Sequence, residues 1–479
     1  MIAIKILIKN GIVILNCCEY KKAHLIINNG IIEDVLNELP ESAADFDEII
    51  DAEGKIVAPG LINGHTHSYA NYFKTTVDNL PLEEMMLYIV AEGDSLQPED
   101  VYYNTMLGAI EMIRNGITGC LDQLAQKTDG LNAAMSAYEK IGMRAVMAPM
   151  LSDMGYYDTL PVGKNLLTED QKTFKGRSAD ELIQINMDFL NKWHGKHGRL
   201  KVGFGPSGPQ RCTKEFMQKS MANAIDNDTV FHTHTLETRT QKNTAHLLYG
   251  KGMVYYLDDI GCLNERLTMA HGVWMTPEEA ALAAERGATV AHCPACNLYL
   301  GSGIASVNTF REVGLNVGLG TDGPNGGCNQ SMLEIMKIAS LLHRVTELDS
   351  DKWVTAGETL KFATVNNAKI LGMEKELGEI AKGYRADVVI YNPDKSIAFQ
   401  PLTDPIMQLV MGETGSAVET VLVQGVPVLR DGKFTTIDEK AMLKDINKHG
   451  EIVRERLAKK IPAVAEEVKF LKSILPRDF

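Results

Sequence analysis

The sequence predicts an α/β fold: a (β/α)8 TIM barrel with a small β-sandwich domain built from both chain ends. Eight short apolar runs, most of them followed by a helical stretch, are the main observation. Eight such units over about 250 residues are typical of a barrel of this kind. A doubly wound sheet is the alternative, but no GxGxxG loop follows the first run. The runs cover 56–62, 116–121, 143–150, 200–205, 229–234, 267–271, 288–293 and 315–320.

Helical periodicity is clearest between these runs. Thr276 followed by Pro277 predicts a helix start, because threonine caps the free backbone N–H groups and proline fits the first helical position. The predicted helices cover 98–114, 130–141, 178–194, 213–227, 276–286 and 329–343.

Strand signals at both ends of the chain predict the second domain. Residues 1–58 read as short strands and turns, and strand patterns return at 386–390 and 418–425. Each set needs a partner sheet. We therefore expect three units: a composite β-sandwich of 1–58 plus 377–436, a catalytic barrel over 59–376, and a helical extension over 437–479.

Composition indicates an ordinary enzyme. The chain has 479 residues, 45% of them hydrophobic, and a formal net charge of −14. This charge argues against nucleic acid and anionic membranes as partners, since both attract basic surfaces. The eight scattered cysteines fit a reducing cytoplasm better than a disulfide framework, and no secretory signal or long apolar span is visible. We expect a cytoplasmic protein.

Histidines and acids gather where the predicted strands end. His65 and His67 end the first run, and alternation along a strand places both on one side. The fifth run ends in His232 and His234, with Glu237 just after it; the sixth ends in His271, the seventh in His292 and the eighth in Asp322. Barrel enzymes carry their reactive groups at these strand ends. His232 lies one layer deeper than His234, and we interpret it as a packing residue.

The simplest assembly is one divalent metal held by His65, His67, His234 and Asp322. Nitrogen and carboxylate ligands with an open position suit catalytic zinc, with iron(II) as an alternative. Such an ion lowers the pKa of bound water towards ~7. Glu237 is placed to transfer protons, and His271 is placed to orient the water.

These segments resemble the amidohydrolase superfamily, in particular its branch of S-adenosylhomocysteine/methylthioadenosine deaminases, guanine-type deaminases and s-triazine hydrolases. The resemblance implies a mononuclear centre, Glu237 as proton shuttle, His271 as polariser of the water, and Asp322 as both ligand and proton acceptor. It also implies hydrolysis at an sp² ring carbon by hydroxide formed at the metal. The matching segments are Pro59–His67, His232–Thr238, Met269–Trp274, Ala291–Pro294 with Asn297 and Gly301–Gly303, Leu319–Gly323 and Lys382–Asp387.

Three loops at the barrel mouth differ from the adenosine-type members of this branch. The 81–92 segment lacks their tryptophan, the 205–212 turn lacks their histidine, and the 323–329 loop is unusual. Loops at this end set specificity. The predicted substrate contacts are Gln210, His292, Asn297 and Asn325.

The leading hypothesis is hydrolytic deamination of a small aminated N-heterocycle, such as a purine, pyrimidine, pterin or triazine. The alternatives are an s-triazine chlorohydrolase or alkylaminohydrolase, the hydrolytic opening of a cyclic amide, and an S-adenosylhomocysteine/methylthioadenosine deaminase. A non-catalytic barrel is a third class, but this chain keeps every ligand candidate together with Glu237 and His271. Analogy with relatives predicts a homo-oligomer, a dimer or larger.

Overall fold

The strands of the described residues form two parallel sheets and one mixed sheet. This computed structural model describes residues 5–125, 127–172, 176–327 and 329–476. The strands are β1 (Lys5–Ile14), β2 (Tyr20–Asn28), β3 (Ile31–Leu36), β4 (Glu48–Asp51), β5 (Ile56–Pro59), β6 (Leu61–Thr66), β7 (Ile117–Leu124), β8 (Arg144–Leu151), β9 (Leu200–Val202), β10 (Gly205–Pro206), β11 (Phe231–Thr235), β12 (Leu267–His271), β13 (Thr289–His292), β14 (Asn316–Leu319), β15 (Val388–Tyr391), β16 (Val418–Val423), β17 (Val426–Arg430) and β18 (Lys433–Phe434).

Helices follow most strands of the central region and cover them from outside. They are α1 (Leu82–Gly93), α2 (Pro98–Arg114), α3 (Thr128–Ile141), α4 (Glu169–Lys172), α5 (Ala179–Trp193), α6 (Lys214–Asp226), α7 (Arg239–Tyr249), α8 (Met253–Asp259), α9 (Pro277–Glu285), α10 (Pro294–Tyr299), α11 (Val307–Glu312), α12 (Met332–Leu342), α13 (Ala356–Lys361), α14 (Asn367–Ile370), α15 (Pro405–Met411), α16 (Glu439–Ala458) and α17 (Ile461–Ile474).

The two parallel sheets confirm the predicted α/β architecture. One has the order β10-β8-β7-β6 with β9 beside β8, and the other has the order β11-β12-β13-β14. Strands β7, β12 and β13 are buried along their whole length, as expected where helices cover a parallel sheet. Every apolar run predicted as a strand contains one, and the run 200–205 is divided between β9 and β10.

Backbone contacts join these two sheets at both of their edges. On one side, Phe204 pairs with Phe231, and the His232 N–H donates to the Phe204 carbonyl at 2.9 Å. On the other side, the Asp322 N–H donates to the His65 carbonyl at 3.0 Å. The first strand of one sheet therefore meets the end of the last strand of the other.

The predicted helices are present, and their ends follow capping rules. Thr276 Oγ1 accepts the Glu279 N–H at 3.2 Å, while Glu279 Oε2 accepts the Thr276 N–H at 3.1 Å, so the predicted start of α9 is confirmed. Helix α3 ends at Gly142, whose φ of 88° favours glycine. Helix α1 has no counterpart among the predicted helices.

Strands from both chain ends share the mixed sheet. It has nine strands, in the order β18-β17-β16-β15-β5-β1-β2-β3, with β4 beside β1. Strand β15 runs antiparallel to β5, so a late segment pairs directly with an early one. Buried Arg144 at the start of β8 donates to both carboxylate oxygens of Asp387 at 2.8 Å, which ties this sheet to the parallel strands.

Helices α16 and α17 pack along the outside of the parallel region. Arg456 of α16 pairs with Asp100 at the start of α2, and Lys472 of α17 lies 3.1 Å from Glu84 of α1. Leu471 is buried beside Tyr157. Over the described residues, no helix combines the length and the apolar character that a membrane crossing requires.

Candidate metal centre

Four histidines and one aspartate converge where β6, β11, β12 and β14 end. One nitrogen each of His65, His67 and His234 lies within 4.8 Å of the others, and the same holds for the ligand atoms of His65, His271 and Asp322. His67 Nε2 is 3.3 Å from both His234 Nε2 and Asp322 Oδ1, and His65 Nε2 is 3.6 Å from Asp322 Oδ1. Residues up to 257 positions apart in the chain thus share one small volume.

The outer nitrogens of two of these histidines contact backbone carbonyls. His67 Nδ1 lies 2.5 Å from the Gln123 carbonyl, and His234 Nδ1 lies 2.6 Å from the Ser207 carbonyl. A carbonyl only accepts, so each Nδ1 carries the hydrogen. Each Nε2 lone pair is then left facing the cluster, which is the arrangement that metal-ligating histidines use.

His65 is held differently. Its Nδ1 lies 2.9 Å from His232 Nε2, and its Nε2 is buried with no hydrogen-bond partner. A buried nitrogen without a partner carries a free-energy penalty unless a ligand satisfies it. A divalent metal ion does so, and three imidazole nitrogens with a carboxylate are a donor set suited to zinc or iron. The residues therefore fit a divalent metal.

Asp322 is ionised in this setting. Burial opposes its charge, but the surrounding imidazoles of His65, His271 and His67 outweigh that cost and hold the pKa of the carboxyl well below its usual range. The Gly323 N–H also donates to Asp322 Oδ1 at 2.6 Å. Burial lowers the pKa of His67 to about 4, so its imidazole is neutral and free to bind a cation.

Glu237 and His271 border the cluster. His271 Nε2 is 3.4 Å from Glu237 Oε2 and 3.6 Å from Asp322 Oδ2, and its Nδ1 is 2.9 Å from Asn297 Oδ1. Burial, reinforced by the charge of Asp322, raises the pKa of Glu237 well above its usual value. Glu237 therefore holds its proton more tightly than an ordinary glutamate does, next to an ionised carboxylate.

Two residues of this centre have a left-handed backbone conformation. His271 has a φ of 76° and Asp322 a φ of 62°, which are unusual values for residues other than glycine. Such conformations cost about 1–3 kcal/mol each and persist where the surroundings enforce them. The two side chains meet beyond the ends of β12 and β14, where His271 Nε2 lies 3.6 Å from Asp322 Oδ2.

A cleft opens over the cluster and encloses about 900 Å³, open solvent included. Its apolar walls come largely from α1 and from the loop after β8, and its polar end holds the metal-site residues. The lining includes Tyr69, Leu82, Glu83, Met86, Ile89, Met150, Tyr156, Leu160, Gln210, Arg211, Glu237, His271, Leu300, Asp322 and Asn325.

The four predicted substrate contacts are placed differently from one another. Gln210 lines the cleft, and its Oε1 is buried without a partner. Asn325 also lines the cleft and donates to Glu92 Oε2 at 2.8 Å. Asn297 lies behind His271, which it contacts. His292 Nε2 lies 3.1 Å from His343 Nε2, and neither of these two histidines is among the residues that line the cleft.

Sequence reasoning missed several residues of this site. His232 was interpreted as packing, but its contact with His65 gives it a polar role. Buried Glu92 and cleft-lining Arg211 were not singled out. Arg211 follows Gln210 directly in a loop already assigned to the cleft mouth, so its position was a usable signal. The sequence contains no comparable signal for Glu92, because helix α1, which carries it, was not predicted.

Comparisons with known proteins identify the family of this chain. The model of the amidohydrolase family matches residues 56–453. The chain is 33% identical over 451 residues to a 5'-deoxyadenosine deaminase of Methanosarcina mazei, covering 93% of this chain and 98% of that protein. It is 32% identical over 440 residues to a 5-methylthioadenosine/S-adenosylhomocysteine deaminase of Pyrococcus furiosus, covering 91% and 98%.

Solved structures show the same fold. An adenosine deaminase from Xanthomonas campestris with bound zinc superimposes with a TM-score of 0.83 at 25% identity, covering 94% of this chain and 99% of that chain. Atrazine chlorohydrolase from Arthrobacter aurescens, complexed with zinc, gives 0.83 at 23% identity, covering 93% and 100%. Fold and site together define a metal-dependent α/β hydrolase. The chain belongs to the amidohydrolase family, as its sequence motifs predicted.

Proposed function

We propose that this protein hydrolytically deaminates a small aminated N-heterocycle. The observation that carries the proposal is the position of Glu237. Its buried carboxyl lies 3.4 Å from His271, at the edge of a histidine–aspartate cluster, and lines an apolar cleft; burial raises its pKa well above the usual value. Deaminases that are 32–33% identical over most of the chain support the same reaction class.

One divalent ion, zinc in the first instance and iron(II) as the alternative, belongs in the cluster. His65, His67 and His234 would each offer Nε2, and Asp322 would offer a carboxylate oxygen. When bound, the ion supplies Lewis-acid activation of the attacking water. The partnerless Nε2 of His65 and the bound zinc of the Xanthomonas campestris structure support this assignment.

The acid–base work falls to three residues. Glu237 donates its proton to the ring nitrogen beside the reacting carbon, which stabilises the addition product. Asp322, held ionised, accepts the proton of the attacking water and passes it to the amino group, which departs as ammonia. His271 is neutral, since burial lowers its pKa to about 4, and its Nε2 lies between the two carboxyl groups at 3.4 and 3.6 Å. It is therefore placed to orient the water.

The cleft walls suit a flat ring. Leu82, Met86, Ile89, Leu160 and Leu300 line its sides, while the unpartnered Oε1 of Gln210 offers an acceptor to a ring N–H. The same groups would serve the alternatives, an s-triazine chlorohydrolase or alkylaminohydrolase and an S-adenosylhomocysteine/methylthioadenosine deaminase. These alternatives would differ from the proposed deamination only in the leaving group or in the ring that binds.

Ammonia release tests the proposal. The metal-loaded protein is incubated with aminated purines, pyrimidines, pterins, triazines and adenine nucleosides, while its metal content is measured by elemental analysis. We expect ammonia from one ring class, with about one metal ion per chain. Glu237→Gln protein of equal metal content is the control. Chloride, alkylamine or ring-opened product without ammonia would favour the alternative chemistry, and metal-loaded protein inert to all rings would contradict both.

We further propose that the two parallel sheets form a closed (β/α)8 barrel over 59–376. The contacts between Phe204 and Phe231, and between Asp322 and His65, support this closure. The mixed sheet supports a β-sandwich domain of 1–58 plus 377–436, with 437–479 as an external helical extension. We also propose that the protein forms a homo-oligomer, a dimer or larger. Light scattering on the purified protein tests this.

A further inference from the structure

Arg211 occupies a fixed position in the wall of the cleft. It ends the short turn Pro209–Arg211 between β10 and α6. Its N–H donates to the Gly208 carbonyl at 2.9 Å, and its own carbonyl accepts the Met154 N–H at 3.3 Å. The same loop presents the Ser207 carbonyl to His234. The backbone that positions a candidate metal ligand therefore also positions this arginine.

The guanidinium of Arg211 has no acidic partner among the described residues. Its Nε is buried without a hydrogen-bond partner, and its one recorded side-chain contact is the ring of Tyr156, 5.3 Å from the guanidinium carbon. Arg144, also buried, shows the contrast, because it donates to both oxygens of Asp387. An aromatic face stabilises a cation but does not neutralise it.

The acids of the cleft are engaged elsewhere. Glu83 Oε1 accepts the Thr238 hydroxyl at 2.6 Å, Asp322 lies among the histidines, and Glu237 Oε2 lies 3.4 Å from His271 Nε2. A largely buried cation without a counter-charge is destabilising, so such a residue in a ligand cleft indicates that the ligand supplies the charge. The guanidinium fork matches a carboxylate in two-point geometry.

We propose that Arg211 binds a carboxylate carried by the heterocyclic substrate, and that adjacent Gln210 accepts an N–H of the same molecule through its unpartnered Oε1. This inference rests on the proposed function, because it assigns the substrate class of the same cleft. The aminated ring lies against Glu237 and the metal-site residues. The carboxylate lies against the loop after β10, at the side of the cleft that Tyr156 borders.

Matched substrate pairs test this assignment. The metal-loaded protein is given pterin-6-carboxylate against 6-methylpterin, and adenosine-5'-carboxylate against adenosine. We expect the wild-type protein to prefer the carboxylate member of at least one pair. Arg211→Met should lower kcat/KM for that member about 10- to 100-fold, mainly through KM, since charged hydrogen bonds of this kind are worth one to two powers of ten. The neutral member should change less than about threefold.

Two further variants separate charge from structure. Arg211→Lys keeps the charge and should recover part of the carboxylate preference. Arg344→Met is the matched control: Arg344 also lies 5.3 Å from an aromatic ring, that of Trp353, and its Nε is also without a partner, but it does not line the cleft. Its loss should leave the preference unchanged.

Binding is measured independently of turnover, by the intrinsic fluorescence of the two pterins. If no compound releases ammonia, the proposed function fails, while tighter binding of pterin-6-carboxylate that is lost in Arg211→Met still supports the role of Arg211. Equal or absent binding of the two pterins, together with equal turnover of the two adenosines, would overturn the inference even in an active deaminase.

Discussion

His232 Nε2 lies 2.9 Å from His65 Nδ1, and the two buried rings stack with centroids 4.9 Å apart. For His65 to offer the lone pair of Nε2 to a metal, its Nδ1 must carry the hydrogen and donate it to His232. His232 therefore sets the tautomer and the ring orientation of His65. It does this from β11, which belongs to the other parallel sheet than β6.

Replacing His232 with Leu should weaken metal binding without removing a ligand. Partners of this kind typically change metal affinity by about 10- to 100-fold. Competition against a chromogenic chelator measures the affinity. His343→Leu is the matched control, because His343 belongs to a buried histidine pair that does not line the cleft. Equal metal affinities in wild type and His232→Leu would refute the role of His232.

Replacing Glu237 with Gln should leave metal content unchanged and lower kcat by about 10²- to 10⁴-fold, the usual contribution of a positioned acid or base. The amide keeps the shape of the side chain but has no proton to transfer to the ring. Elemental analysis and steady-state kinetics measure the two effects. Near-full activity would remove Glu237 from the proton-transfer role.

Replacing Asp322 with Ala should cost both metal occupancy and activity. The carboxylate lies 3.3 Å from His67 and 3.6 Å from His65, and its charge offsets that of a bound cation. Asp322→Asn keeps the shape without the charge and should retain more metal than Asp322→Ala. Unchanged metal content in Asp322→Ala would refute its assignment as a ligand.

Replacing Glu92 with Gln should make the protein less sensitive to alkaline pH. Burial raises the pKa of Glu92 from an ordinary 4.5 to about 8, partly offset by the hydrogen bond from Asn325. Between these two values the folded protein holds a proton that the unfolded chain releases, so the free energy of unfolding falls as pH rises. Glutamine does not titrate, and it keeps an oxygen that accepts from Asn325.

Thermal unfolding at pH 5 and pH 8 measures the effect. The melting temperature of Glu92→Gln relative to that of wild type should be higher at pH 8 than at pH 5. If the melting temperatures of Glu92→Gln and wild type differ by the same amount at both pH values, the fold does not raise the pKa of Glu92.

Sequence patterns predicted the parallel strands and the residues that gather at their ends. His65 and Asp322 could be placed because strand ends in such a fold lie at one edge, whatever their separation in the chain. The apolar runs of a fully buried parallel strand also stand out in sequence. These features depend on local pattern and on a general rule of topology.

The features that the sequence did not predict depend on contacts between the two parallel sheets or between loops. The His232–His65 pair joins two strands of different sheets, so its geometry has no local signature. Helix α1 was missed because its segment carries acidic residues on buried positions, among them Glu83 and Glu92. Their burial is compensated by Thr238 and Asn325, which lie far away in sequence. Such compensation is visible only in three dimensions.

Strand β6 begins one residue after β5, with only Gly60 between them, so the strand that bears His65 continues directly from the mixed sheet. Strand β1 lies beside β5 in that sheet, and its loss would leave β5 unsupported on one side. A truncation that removes β1 would therefore weaken the support of the strand that carries His65, although the truncated chain would still contain all the histidines of the metal centre.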